Sequence, residues 1–221
     1  WVDVDLGGAG DDYVGCDVER GLGYGYNGDA VDEDANGHPG YGGPNPPPPA
    51  IGVDFFEGPY QDYDSLDNPL TSNCQEAVDN LGIVYGGIGI GYGDEVVDNE
   101  RYGMRAFVYH NNASGAIGDP NNAGQYYGYL KGIWGDNTPM TYGGNGYNPT
   151  GGGVRSYYMF PGTSDPLGWG TGCVPQPLWD EVSAGNAPDD RRFIQSAGPF
   201  KLEPGAYNNI TVGVVYARAS G

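Results

Sequence analysis

Apolar and polar positions alternate over short stretches of this chain. A period of two residues is typical of a strand that buries one face, and turn residues such as Gly58 and Pro59 end these stretches. A turn around Pro204 and Gly205 joins the last two stretches. The pattern predicts strands at residues 51–56, 81–92, 104–110, 154–160, 191–197, 200–202 and 209–218.

The first four residues, Trp1 to Val4, alternate like the middle of a strand. They contain neither the basic stretch nor the apolar core of a signal peptide. We therefore expect this chain to be a mature fragment or a piece of a longer protein.

One segment has the pattern of a helix. Asp119 is a suitable N-cap, and Pro120 suits the first helical position. Apolar residues then recur at helical spacing until Gly135, at Tyr126, Leu130, Ile133 and Trp134.

Glycine and proline are abundant, with 42 and 18 residues among 221. Both interrupt helices, so a helical bundle is excluded. The 19 tyrosines, 4 tryptophans and 6 phenylalanines supply large apolar surfaces for a folded core. We predict an all-β fold, an antiparallel β-sandwich of jelly-roll-like or immunoglobulin-like type, with long Gly/Asp/Asn-rich loops and one short helix. It would form a single domain over residues 1–221.

The charge of the chain excludes two classes of partner. Nine basic residues against 29 acidic ones give a formal net charge of −20. Nucleic-acid binding needs a patch of Lys and Arg, and anionic lipid attracts the same patch, so neither is an expected partner. No apolar run of about 18 residues is present, and membrane insertion is not expected.

Acidic residues are densest near the start of the chain, where their repulsion opposes compaction unless a cation neutralises it. Calcium takes six to eight oxygen ligands in flexible geometry, which suits carboxylates on glycine-rich loops. The alternative is a solvated acidic surface without an ion. The predicted calcium ligands are Asp3, Asp5, Asp12, Asp29, Asp32 and Asp34.

The three cysteines match no zinc-binding spacing. Cys16 and Cys74 lie in polar segments that can adjust to the geometry of a bridge, so we predict a disulfide between them, with Cys173 as a free thiol. Three reduced, buried cysteines are the alternative.

Catalytic motifs are absent from the sequence. His38 and His110 are the only histidines, and neither belongs to a metal-binding or triad motif. A carboxylate pair for glycoside hydrolysis stays compatible with so acidic a chain. The aromatic residues either fill the core or stack on sugar rings, as Tyr126 and Tyr127 could. We expect a non-enzymatic protein.

Six segments carry a resemblance to known proteins, at residues 11–17, 52–59, 97–105, 159–162, 169–172 and 190–213. They resemble a module of large secreted surface proteins of the Bacteroidota, which typically end in a type IX secretion sorting domain. The resemblance implies an extracellular or cell-surface location and a structural or adhesive role, with no assigned catalytic residues. Proteins of that phylum are commonly O-glycosylated at Ser or Thr between Asp and an aliphatic residue, which implies Ser65 as a glycosylation site.

These observations lead to one hypothesis and one alternative. The hypothesis is a calcium-stabilised structural or adhesive protein outside the cell, the repeating subunit of a surface filament, which self-associates through an exposed sheet edge. The alternative is a carbohydrate-binding module of a secreted hydrolase, with glycans as its partners.

Overall fold

The structure is a computed structural model that describes residues 1–33, 36–43, 45–70, 73–75 and 90–219, and its regular structure is mainly β. Helices in this part of the chain include α1 (Ala123–Leu130) and α2 (Glu181–Ala184), with a 3₁₀ turn at Trp169–Thr171. None of the described helices is long and apolar enough to cross a membrane. The strands are β1 (Val2–Asp3), β2 (Asp12–Asp17), β3 (Leu22–Asn27), β4 (Val31–Glu33), β5 (Pro39–Gly42), β6 (Pro49–Glu57), β7 (Met104–Asn111), β8 (Arg191–Ala197) and β9 (Thr211–Arg218).

The strands form antiparallel sheets. The larger sheet has the order β2-β3-β6-β9, the second has the order β1-β8-β7, and β4 pairs with β5. The outer side of β7 is covered by an irregular segment, since Phe107 N donates to Tyr157 O and Met159 N donates to Phe107 O.

Part of the core lies between the two larger sheets. Phe107 of β7 and Phe193 of β8 are fully buried, with ring centroids 5.1 Å apart. Gly23 of β3 faces both rings, and a Cβ built there would lie 2.8 Å from Phe107 and 2.9 Å from Phe193. The absence of a side chain at this glycine lets the sheets approach, and the arrangement confirms the predicted all-β, sandwich-like fold.

Four predicted strands are confirmed, at 51–56, 104–110, 191–197 and 209–218, with small differences in their ends. Two predictions are wrong. Residues 154–160 make only isolated bridges, and the backbone turns at Phe160 with a φ of 49°. Residues 200–202 form no strand. Most of the predicted strand at 81–92 lies outside the described residues.

The predicted helix starts later and ends earlier than its sequence pattern indicates. Asn122 is the N-cap, because its side chain accepts a hydrogen bond from Gln125 N. Asp119 instead pairs with Arg192, at 2.9 Å. The chain leaves the helix at Lys131, so the apolar residues beyond it do not extend the helical face.

The predicted disulfide is also wrong. Cys74 is bonded to Cys173, with Cα atoms 5.4 Å apart, and Cys16 is the free cysteine. Cys16 lies within β2 rather than in a loop, and its thiol donates to Met159 O in the core. The position of Cys16 is therefore set by the packing of β2 against the irregular segment that contains Met159.

Candidate functional site

The predicted calcium ligands do not form one site. Asp3 and Asp5 lie beside Asp190, whereas Asp12 and Asp32 belong to a second, buried group. Asp29 is exposed at the edge of that second group, where its side chain accepts a hydrogen bond from Val31 N at 2.8 Å. Asp34 lies outside the described residues.

The first group is exposed and already has a cationic neighbour. Ligand atoms of Asp3, Asp5 and Asp190 lie within 4.8 Å of one another. Arg192 approaches Asp3 at 3.0 Å and Asp190 at 3.8 Å. Burial and the charges of Asp3 and Asp190 raise the pKa of Asp5, while Arg192 opposes the rise. A guanidinium thus supplies much of the positive charge that an ion would supply.

The second group, which we call the acidic cluster, consists of Asp11, Asp12, Asn27 and Asp32. Asp12 and Asn27 are directly opposite each other in the β2–β3 hairpin, and Asp32 lies in β4. Asp12 and Asp32 are 0% and 1% exposed. The hairpin and the following strand therefore place Asp12, Asn27 and Asp32 beneath the surface, with Asp11 half-buried just before β2.

A loop made by Leu6, Gly7 and Gly8 lies against the acidic cluster. Leu6 N donates to Asp12 Oδ2, and Gly8 N donates to Asp32 Oδ1, each over 3.2 Å. A Cβ on Gly8 would lie 3.1 Å from Asp11 Oδ1, so all three carboxylates contact this loop.

Several oxygens of the acidic cluster are buried without a hydrogen-bond partner. They are Asp11 Oδ1 and Oδ2, Asp12 Oδ1, Asn27 Oδ1 and Asp32 Oδ2. Burial raises the pKa of Asp12 to about 7, the hydrogen bond from Leu6 opposes the rise, and the charges of Asp11 and Asp32 add to it. No described Lys or Arg pairs with these carboxylates. Partial protonation of Asp12 near neutral pH therefore relieves part of their electrostatic repulsion.

Asp11 and Asn27 are not among the predicted ligands. Recognition of the β2–β3 hairpin in the sequence would have predicted that Asn27 lies near Asp12, because the hairpin register places these two residues opposite each other. The glycines of that hairpin made it resemble a loop.

Replacing Gly7 tests how closely the loop packs on the acidic cluster. Gly7 has a φ of +79°, and a Cβ there would overlap the Asp32 carboxylate. We expect Gly7→Ala to lower the free energy of unfolding by about 2–3 kcal/mol, measured by urea denaturation. Gly37→Ala is the control, since Gly37 has a φ of +76° and open space around it, and it should cost about 1 kcal/mol. Equal effects of the two variants would contradict the close packing.

Strand β9 has an unusual environment. It pairs with β6 on one side, and no described residue makes a backbone hydrogen bond to its other side. Val212, Val214 and Tyr216 on one face are 48%, 70% and 61% exposed, and Val215 on the opposite face is 38% exposed. We call this strand with its unpaired side the β9 edge. It contains no acidic residue.

A groove of about 490 Å³ lies between α1, the end of β8 and the start of β9. Tyr127, Phe200 and Ile210 contribute apolar surface to it, and Arg105 and Lys131 contribute positive charge. Its size is in the range of small-molecule sites.

Ser65, the predicted glycosylation site, is exposed in a loop. Its backbone N–H donates to Asp98 Oδ1 at 2.9 Å, which holds the loop in place. Modification of Ser65 stays a prediction.

Comparisons with protein-family models, with curated proteins and with solved structures find no match. The resemblance to a Bacteroidota surface module therefore stays a prediction.

Proposed function

We propose that this chain is a non-enzymatic structural or adhesive protein of the extracellular space or cell surface, stabilised by calcium, whose copies associate through the β9 edge. The observation that carries the proposal is the exposure of β9 on both faces and along its unpaired side. Unpaired edges are normally short, charged or covered, because they template pairing with another chain. This strand has eight residues with three exposed valines and a tyrosine, its one charged residue is Arg218 at its end, and no described residue covers its outer side.

The partner that fits the β9 edge is a second copy of this chain. Two copies of net charge −20 repel each other over most of their surface. β9 contains no acidic residue, so the strand adds no negative charge of its own to this repulsion. Antiparallel pairing of two β9 strands would extend the four-stranded sheet across a two-fold axis and bury valines from both copies.

The extracellular location is supported by the Cys74–Cys173 disulfide, since disulfides persist in oxidising compartments. The acidic surface and the type IX resemblance agree with that location. Assembly into a surface filament would need a second contact in addition to the β9 edge.

A paired substitution on β9 tests the proposal. Val212→Lys combined with Val214→Lys places charge on one face of the edge, and we expect the dissociation constant of self-association to rise at least tenfold. Multi-angle light scattering should give a mass above that of the 23.3 kDa chain for the unaltered protein and the single-chain mass for the variant.

Val182→Lys is the matched control, because Val182 is 66% exposed on α2, away from the β9 edge. It should associate like the unaltered protein. A single-chain mass for the unaltered protein at all concentrations, or full association of the β9 variant, would refute self-association through this edge.

The carbohydrate-binding alternative has less support. Trp1 and Tyr126 are exposed neighbours with centroids 5.4 Å apart, but their rings are inclined by 47° and do not make a flat platform for a sugar. The groove beside Tyr127 is the other place where a glycan could bind. A glycan array with the purified protein tests this alternative.

A further inference from the structure

Three basic side chains, Arg105, Lys131 and Arg155, take part in none of the ion pairs that join described residues. The chain has 29 acidic residues and nine basic ones, so basic side chains without a carboxylate partner are unexpected. These three are neighbours. Arg155 Nη2 donates to Lys131 O at 2.8 Å, and the guanidinium carbons of Arg105 and Arg155 lie 5.5 and 4.8 Å from the ring centroid of Tyr157. A patch of positive charge therefore exists in a protein that is acidic overall.

The patch adjoins the groove between α1, the end of β8 and the start of β9. Arg105 and Lys131 both line this groove, which has a volume of about 490 Å³. Much of its remaining lining is apolar, and Tyr127 and Ile210 are 59% and 54% exposed. The apolar surface comes from Phe55, Pro59, Tyr127, Leu130, Phe200 and Ile210. The groove thus combines apolar walls with two uncompensated positive charges.

An irregularity in β7 brings Arg105 to the groove. Met104 pairs with Ala197 and Ala106 pairs with Ser196, so Arg105 is one extra residue on β7, as in a β-bulge. Met104 and Ala106 are both 0% exposed, whereas Arg105 is half-buried. Bulges redirect side chains and are over-represented next to active sites. The shift in register therefore lets a charged side chain leave the core between two buried residues.

The two arginines of the patch repel each other. Burial lowers the pKa of Arg155, the neighbouring Tyr157 opposes the fall, and the charge of Arg105 adds to it. Arg155 Nε is also buried without a hydrogen-bond partner. Like charges held close together are stabilised by an opposite charge between or beside them. An anion in the groove would supply that charge.

The other polar side chains of the groove are already bonded within the protein. Gln195 Nε2 donates to Gly21 O and Val53 O, and Ser196 Oγ donates to Leu130 O at 2.7 Å. A sugar presents several hydroxyl groups, each of which needs a hydrogen-bond partner when it is buried. The lining therefore suits an apolar ligand with one charged group better than it suits a glycan.

We propose that this groove binds a small amphiphilic carboxylate, with its apolar body against Tyr127 and Phe200 and its carboxylate beside Arg105 and Lys131. A guanidinium offers two parallel N–H donors that match the two oxygens of a carboxylate. A volume of about 490 Å³ accommodates such a molecule. The proposal goes beyond the proposed function, because no lining residue belongs to β9 and binding does not depend on association through the β9 edge.

NMR titration of the isotopically labelled chain with phenylbutyrate tests the proposal. The uncharged phenylbutanol and the cationic phenylbutylamine have the same apolar body and serve as controls. We expect phenylbutyrate to bind at least about tenfold more tightly than either control and to shift the backbone amide signals of Leu130 and Ala197, which line the groove. Galacturonate, which carries a carboxylate on a sugar, should bind more weakly than phenylbutyrate. Tighter binding of galacturonate would overturn the proposal in favour of an acidic glycan.

Substitutions in the groove identify the residues that hold the carboxylate. Arg105→Gln and Lys131→Gln should each weaken phenylbutyrate binding about tenfold. Lys131 is exposed, so its substitution leaves the core intact and keeps the test valid if Arg105→Gln fails to fold. Arg20→Gln is the matched control, because Arg20 is paired with Asp17 and does not line the groove. It should leave the affinity unchanged.

Two results would refute the carboxylate site. One is equal affinity for phenylbutyrate and phenylbutanol, which would show that the positive charges contribute nothing. The other is an equal loss of affinity in Lys131→Gln and Arg20→Gln, which would show that net charge alone, and not the groove, governs binding.

Discussion

Removal of the Cys74–Cys173 disulfide is expected to lower the free energy of unfolding by about 4–5 kcal/mol. The bond joins residues 99 positions apart, so it closes nearly half of the chain into one loop. Breaking it frees the unfolded chain to occupy many more conformations, while the folded state changes little. The glycine content makes this gain in entropy large, because glycine is the most flexible residue in an unfolded chain.

A double variant, Cys74→Ala with Cys173→Ala, measures this effect by urea denaturation. The control is the same variant with and without dithiothreitol, which should not change its stability, since Cys16 is a buried free thiol. Non-reducing peptide mapping of the unaltered protein should recover a Cys74–Cys173 peptide. A linked peptide that contains Cys16 would contradict the structure, as would a stability loss below about 1 kcal/mol.

Neutralising Glu181 is expected to cost about 3–5 kcal/mol of unfolding free energy. Glu181 accepts hydrogen bonds from Val14 N and Asn186 Nδ2 in addition to those from Arg191. Burial raises the pKa of Glu181, and the charge of Arg191 opposes this effect. The substitution Glu181→Gln keeps the size of the side chain but leaves the guanidinium, which is 3% exposed, without its buried counter-ion.

Asp189→Asn is the matched control for Glu181→Gln. Asp189 lies 3.8 Å from the same guanidinium, but its side chain is 58% exposed, so water screens the interaction. We expect its loss to cost at most about 1 kcal/mol. Equal urea midpoints for the two variants would show that the buried pair contributes no more than the exposed one.

Local composition alone determined the strands that lack glycine and proline. Residues 104–110 and 191–197 are examples, and their pairing into one sheet follows the predicted antiparallel arrangement. Each contains aromatic and β-branched residues, which favour a strand whatever surrounds them. The glycine and proline content correctly excluded a helical bundle. These residues interrupt a helix through their own backbone conformation, which does not depend on the rest of the fold.

The β2–β3 hairpin could not be recognised in this way, because its glycines resemble those of a loop. Gly15 lies against the ring of Tyr24, and a Cβ there would come within 2.7 Å of that side chain. Gly25 lies equally close to Val4. These glycines make room for neighbouring side chains, and that need exists only once the chain has folded.

The sequence by itself determined that carboxylates crowd the first part of the chain, and it therefore predicted a cation. It did not determine which carboxylates meet. The hairpin register sets Asp12 opposite Asn27, while Arg192, far along the chain on β8, pairs with Asp3. Electrostatic compensation depends on distance in space rather than along the sequence, so only the tertiary structure decided which acids are left without a positive partner.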